Sequence, residues 1–326
     1  MNSKIILLFL FVPLTFFSQK NDKIDSTSFV SYRDKKILYT DVGFNTAPFS
    51  ITFKDSLGNR EHIVFRNNLR TILGLGFSYK WFSLRLAVNL PGHIKPVSKY
   101  GETKYLDLGF EFKTKRHFYE IDLHNYKGYA LKNAFNWNDS LNEFINPHFI
   151  AKEMNALSLS VNTWRFFNKS INMSALKGKT AAYLKEEKSF YLKTTFNLHG
   201  ISNNGSIIPD EKFNPKNSKT GATTISAFDF GILPGYVYVN SYKKWQYSGM
   251  LGLGPVIQTK FYYINGVQRG FLGLAPRVDF RFLLSYNVPK YFVSLITEFD
   301  NKSILFKNLR YQQTFYMIKL VGGIRF

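Results

Sequence analysis

The chain has 326 residues, with 43 Lys and Arg against 22 Asp and Glu for a formal net charge of +21; 45% is apolar, 17% aromatic, and there is no cysteine. A chain carrying 33 Phe and 20 Tyr cannot stay solvated as a disordered polymer, and without a thiol it forms no disulfide, thiolate zinc site, cysteine nucleophile or thioether lipid anchor. Past residue 18 no apolar run is long enough for a membrane-spanning helix.

The chain starts MNSKIILLFLFVPLTFFSQK. Lys4 supplies a positive head, Ile5 to Phe17 an apolar stretch, and Ser18 a small residue at a cleavage point, so 1–18 is expected to be an export signal. The short polar segment 19–35 is expected to be a periplasmic tail, and 36–326 a single barrel domain.

From there the dominant signal has period two. Leu73, Leu75, Phe77 and Tyr79 alternate with Gly74, Gly76, Ser78 and Lys80. Beyond Trp81, Phe82, Leu84, Leu86, Val88 and Leu90 alternate with Ser83, Arg85, Ala87 and Asn89. The same holds for Leu106 to Phe112, Tyr119 to Leu123, Phe190 to Leu198 and Val278 to Tyr286. Such alternation puts one set of side chains on each face of a strand. Strands are expected over 36–54, 70–80, 82–90, 104–114, 117–131, 155–167, 170–177, 189–201, 223–241, 244–263, 269–287, 290–300 and 312–326.

A soluble sandwich alternates too. The export signal, the repetition of alternating segments of roughly ten residues, and aromatic clusters near their ends (Tyr79, Trp81; Tyr242, Trp245; Tyr286, Tyr291) favour a membrane setting. There every backbone group must be paired, which a closed barrel achieves. The expected fold is therefore all-β: an antiparallel up-and-down transmembrane β-barrel of about 12 strands, or alternatively 14, with a polar, charged lumen. The strands above form an odd set, whereas a single-chain bacterial barrel has an even one. Either 36–67 holds two strands joined at Asp55-Ser56-Leu57-Gly58-Asn59, or one segment is misassigned. With the C-terminus periplasmic, this count turns 203–221 and 301–311 outward but leaves 91–103 and 132–154 on the periplasmic side. In the last segment Tyr316, Ile318, Leu320, Ile324 and Phe326 share one face, and Phe315, Met317, Lys319, Gly323 and Arg325 the other. Ile324 and the terminal Phe326 are expected to form the signal read by a barrel-assembly machinery.

The runs GLGFSYKWFSLRLAVNLPG (74–92) and YGETKYLDLGFEFKTKRHFYEIDLHNYKGYAL (100–131) resemble the opening block of the domain-of-unknown-function family 4421. RFFNKSINMSAL (165–176) and LPGYVYVNSYKKWQYSGMLGLG (233–254) are similar to its later blocks; 177–188 and 203–221 depart from it. The resemblance implies an outer-membrane barrel of Gram-negative bacteria and no assigned activity.

Strand parity turns a set of charged side chains inward: Arg85, Asp107, Glu111, Lys113, Glu120, Asp122, His124, Lys193, Asp229, Arg277, Asp279, Arg281, Glu298, Lys319 and Arg325. Both signs occur, so pairs across neighbouring strands can fill a narrow lumen; a selective pore or binding cavity is the functional alternative. His199 and Ser202, at the end of a strand, loosely resemble the His-x-Ser-Asn segment of outer-membrane lipases. Three residues apart, they fall on opposite faces unless a bulge intervenes. The expected function is thus a non-catalytic barrel of unassigned activity in the outer membrane of a Gram-negative bacterium: a narrow pore, a binding protein or an assembly partner. A lipid hydrolase using His199 and Ser202 is the alternative. No catalytic, cofactor or metal site is nominated, since His62, His93, His117, His124, His148 and His199 lack metal-ligand spacing. The expected partners are outer-membrane lipid, lipopolysaccharide and an envelope protein. Nucleic acid is rejected, because the basic residues scatter over turns rather than line a helix.

Overall fold

The structure, a computed structural model, describes residues 28–68, 70–114, 117–132 and 149–326. The expected export signal and most of the expected tail lie outside the described residues. The elements in chain order are β1 (Phe29–Ser31), β2 (Ile37–Thr46), β3 (Phe49–Lys54), β4 (Arg60–Arg66), β5 (Thr71–Tyr79), β6 (Phe82–Asn89), α1 (Val97–Tyr100), β7 (Lys104–Lys113), β8 (Phe118–Leu131), β9 (Ile150–Phe166), α2 (Met173–Leu176), β10 (Ala181–Tyr183), β11 (Glu187–Ser202), β12 (Thr224–Tyr242), β13 (Trp245–Ile264), β14 (Val267–Asn287), β15 (Tyr291–Phe306) and β16 (Leu309–Arg325).

Twelve strands close a ring in the order β2, β5, β6, β7, β8, β9, β11, β12, β13, β14, β15, β16 and back to β2, each antiparallel to its neighbours. Short turns gather at one end, with residues with positive φ where the chain reverses: Lys80 between β5 and β6, and Lys243 between β12 and β13. The opposite end carries the long connections 90–103 and 203–223, together with Asn265-Gly266, whose two positive φ values fit the tight hairpin turn that matches strand twist.

The odd count resolves here. Residues 170–177 do not form a wall strand. Asn172 accepts the Ser174 N–H at 3.0 Å and caps the one-turn helix α2, which lies inside the ring at the short-turn end. With that segment removed, 91–103 moves to the long-loop end, as do the described ends of 132–154, where β8 stops and β9 starts; 133–148 lie outside the described residues. Residues 36–67 do contain a hairpin turned at Asp55–Asn59. Its arms β3 and β4 extend β2 and β5 past Ala47-Pro48, pairing with β16 and with the top of β8. The segment 301–311 is also largely strand rather than loop.

Period-two alternation sorts the side chains. Outward faces carry a continuous apolar belt, including Leu38, Leu75, Leu84, Phe190, Ile232, Leu253, Phe280 and Ile318, all exposed. The interior is packed in three tiers. At the long-loop end Phe49, Phe65, Tyr129 and Tyr311 stack together, and Ile207 and Ile208 of the 203–223 connection drop in beside them. That connection is tied down where Asn214 Nδ2 donates to the carbonyls of Lys54 and Asp55, and Asn217 Nδ2 to that of Asn308. At the short-turn end, 167–186 folds back as a plug. Met173, Ala175 and Leu176 of α2 meet Trp164, Val237 and Met250 of the wall, and β10 pairs with β1. A charged tier lies between the two apolar ones.

Candidate functional site

The middle tier is built from side chains that strand parity turns inward. Arg85 of β6 grips both oxygens of Asp41 on β2, at 2.6 and 2.8 Å, and also bonds Asp107 on β7. His124 Nδ1 of β8 lies 3.4 Å from Asp107. Arg281 of β14 meets Glu120 at 2.8 Å, with Glu298 and Asp279 at 3.7 and 3.9 Å. Lys193 of β11 meets Asp279 at 2.9 Å, and both Lys193 and Arg281 lie over the buried ring of Trp164.

A second cluster sits nearer the long-loop end. Asp229 of β12 accepts from Gln258 at 2.8 Å, lies 3.0 Å from His199 Nε2 and is bonded by Arg277. Arg277 also approaches Asp300, which is 3.5 Å from Lys302. Lys302 in turn donates to Ser158 at 2.6 Å and Ser160 at 3.1 Å. Opposite charges from neighbouring, next-but-one and facing strands thus cancel where water is scarce, as buried charge requires.

The plug is hooked onto this tier. Lys177 reaches Glu111 at 2.8 Å and Glu120 at 2.7 Å, and Lys179 reaches Glu111 at 2.9 Å. Burial alone lowers an ammonium pKa; here the facing carboxylates outweigh it, Glu111 and Glu120 at Lys177 and chiefly Glu111 at Lys179, and hold both above the ordinary lysine value. Gln246 Nε2 donates to the carbonyls of Ala175 and Leu176 while its Oε1 accepts the Tyr183 N–H. Arg325 donates to the carbonyls of Gly178 and Lys179.

Of the residues the sequence singles out, Arg85, Asp107, Glu111, Glu120, His124, Lys193, Arg277, Asp279, Arg281 and Glu298 are brought into these contacts. Asp122 and Lys319 face the remaining space without an oppositely charged group within 4 Å among the described residues. Lys113 lies apart, at the short-turn rim beside Trp81 and Phe118. Ile324 and Phe326 stand on the outer face, 62% and 65% exposed. His199 and Ser202 are not brought together. The ladder from Tyr191 to Ser202 runs without a bulge on both sides, so His199 is sealed inside at 1% exposure while Ser202 is on the opposite face. The hydroxyl across the ladder from His199 is Ser158, already engaged by Lys302. Nucleophilic catalysis by His199 and Ser202 therefore has no geometric basis.

Sequence reasoning missed Asp41, Lys177, Lys179, Asp300 and Lys302. Alternation along Ile37, Tyr39, Asp41, Gly43 and Asn45 would have found Asp41. Asp300 and Lys302 share the parity of Glu298; Asp300 is the last residue of the expected strand 290–300, and Lys302 is hidden because 301–311 reads as a loop. No periodic signal marks the two plug lysines.

Among the described residues the tier holds two cavities of about 60 and 70 Å³, which meet at Asp122, His124, Glu298 and Met317. That is room for a few waters. Among the described residues no three His, Asp or Glu side chains converge to hold a metal.

A family model described as "Domain of unknown function (DUF4421)" matches residues 23–325. Among curated proteins, none matches the chain in sequence. Among solved structures, the outer membrane protease OmpT from Escherichia coli superposes with a TM-score of 0.43 at 8% identity, covering 93% of this chain and 100% of that one. The translocator domain of the autotransporter NalP from Neisseria meningitidis gives 0.40 at 8%, covering 88% of each. The Pseudomonas putida toluene transporter TodX gives 0.28 at 8%, covering 89% and 90%.

Proposed function

Because the chain belongs to the family described as Domain of unknown function (DUF4421), whose description carries no activity to transfer, we propose its role from the barrel itself: a non-catalytic, non-conducting barrel of a Gram-negative outer membrane that acts through its rims as a binding or structural partner in the envelope. The observation that carries this reading is the filled interior. Two apolar tiers close the ends, and in the charged tier between them most of the described ions are paired to one another. Among the described residues the cavities of that tier leave room for only a few waters, too little for a hydrated solute.

The outer surface supports membrane residence. Its apolar belt is bounded at the short-turn end by exposed Trp81, Tyr242, Trp245 and Tyr291, with Lys80, Lys243, Lys244 and Lys290 beside them in the turns. This order suits acyl chains along the belt and headgroup phosphates beyond its rim. The short-turn end then faces the periplasm, and basic residues of the long-loop end face lipopolysaccharide phosphates. Ile324 and Phe326, held outward on the closing strand, are where a barrel-assembly machinery engages. Purified protein in a planar bilayer is expected to give no steady conductance steps and no lipid cleavage. Stable single-channel steps from the unmodified protein, or its release from membranes by a high-salt wash, overturn the reading.

A further inference from the structure

The ring is not evenly zipped. β14 pairs with β13 along its whole length, from Val267 opposite Ile264 to Tyr286 opposite Trp245, but with β15 only from Val278 downward, where Val278 faces Asn301. Above that level β15 leans into the lumen with β16, and β14 is left as an edge over 267–277.

The two sides of this split differ. On β15 the carbonyls of Ser303 and Leu305 would have faced β14; they are taken instead by side chains of β13, Gln258 Nε2 at 2.8 Å and Lys260 Nζ. On β14 the orphaned groups have no such substitutes. Asn287 N–H bonds toward β13, to Lys244, and Val288 N–H toward β15, to Tyr291. Because direction alternates along an antiparallel strand, Gln268, Gly270, Leu272 and Leu274 turn their N–H and C=O to the open side. Among the described residues none of these groups finds a partner there. At the lower limit of the edge stands Pro276, which has no N–H to offer β15. It faces Pro255 across the β13–β14 ladder, and that pair sits where the β14–β15 zipper stops. Leu272 and Leu274, on the outer face of this edge, are 75% and 65% exposed.

We propose that the free edge of β14, residues 267–277, accepts an extended segment of another polypeptide as an additional antiparallel strand. It deepens the binding reading above by naming one kind of partner, and rests on that reading only for which end of the barrel faces outward. The chemistry selects the occupant. Only an extended backbone offers donors and acceptors at the spacing of alternate strand residues. The site continues the ladder that β15 leaves at Asn301, so the incoming strand runs in the β15 direction, its C-terminus toward Val267. Its outer face must be apolar to cover Leu272 and Leu274. A second copy of the chain fits poorly. Two barrels in one membrane bring their β14 strands together in the same direction, giving a parallel pair, the less stable arrangement. β15 cannot re-zip either, since its carbonyls are already engaged.

The test uses the detergent-solubilised full chain and a synthetic peptide of alternating Val and Thr long enough to span 267–277. Binding is expected by fluorescence anisotropy. It should weaken roughly tenfold or more when Leu272→Pro and Leu274→Pro are combined, removing two open-side donors and none of the β13 ladder. The same loss is expected from a peptide N-methylated along one edge against the unaltered barrel, which does not depend on the variant folding. A nitroxide on the peptide C-terminus should lie nearer a label at Gln268→Cys than one on its N-terminus. No binding, binding indifferent to both the prolines and N-methylation, reversed polarity, or disulfide-linked dimers of Leu272→Cys (in a chain with no other cysteine) would each overturn the proposal.

Discussion

Inside the lumen a carboxylate is tolerated in proportion to the donors that meet it. Asp229 is met by Arg277, Gln258 and His199; Asp122 has no cation within 4 Å among the described residues. Asp229→Asn should cost of order 3 kcal/mol, because it strands Arg277 in a dry site with only a distant Asp300. Asp122→Asn should be neutral or stabilising, since it removes a charge that nothing directly compensates. Thermal unfolding of the two variants in the same detergent checks the ordering; equal losses would mean that cavity water, not direct pairing, sets the energetics. Strand parity made the inward face of Asp107, Arg281 and their neighbours legible, because facing is a local property of an alternating strand. It could not say which charge meets which: the bond from Arg85 to Asp41 depends on β2 reaching β5, beyond any local pattern.

At the level of elements, glycine and aromatic residues are paired across neighbouring strands near the short-turn end. Tyr39 lies opposite Gly76, Tyr191 opposite Gly235, and Phe292 opposite Gly323. In each case a side chain on the glycine would run into the ring. Gly235→Val is therefore expected to push Tyr191 from its place and destabilise the β11–β12 pair by about 1–3 kcal/mol, visible as a lower unfolding temperature in a heat-modifiability gel. The same substitution at Gly249, whose Cβ meets nothing, should have little effect. Most wall strands were readable from alternation, including the turn at Asp55–Asn59. The plug was not. Ile171, Met173 and Ala175 alternate like a strand, yet the Asn172 cap and the pull of Lys177 toward Glu111 and Glu120 wind them into a single helical turn. In β8 the alternation also slips one residue at Gly128, where φ is +96° and the ladder with β9 shifts between Lys127 and Tyr129. A side chain there would meet the Glu102 carbonyl.

Across the whole molecule, the plug and the wall share one set of charges, so sealing and stability are coupled. Lys177→Met should lower stability by up to about 3 kcal/mol; the loss is limited because Glu111 keeps Lys179 and Glu120 keeps Arg281. It should also make 167–186 cleavable by added protease. The hold has a definite pH sense. Both plug lysines have native pKa values raised above the unfolded one, so their contribution is complete below the ordinary lysine range near pH 10.5 and is lost as pH climbs through the raised values. Protease resistance of 167–186 is expected to persist to about pH 10 and to fail only above it; release near neutrality would show that the lysines are not what holds the plug. Deleting 167–186 in favour of a short flexible turn should produce conductance where the intact barrel has none.

The reach of Arg325 carries a consequence for biogenesis. One residue before the chain ends, its guanidinium grips the carbonyls of Gly178 and Lys179 and the side chain of Asn287, while its backbone N–H bonds Lys290 on one flank and the next residue, Phe326, bonds Lys36 on the other. The stave that closes the ring is thus also a clasp on the stopper. Circular closure and watertightness are therefore expected to be linked: a cylinder whose first and final staves are unzipped should hold its stopper less firmly, by Lys177, Lys179 and Gln246 without Arg325.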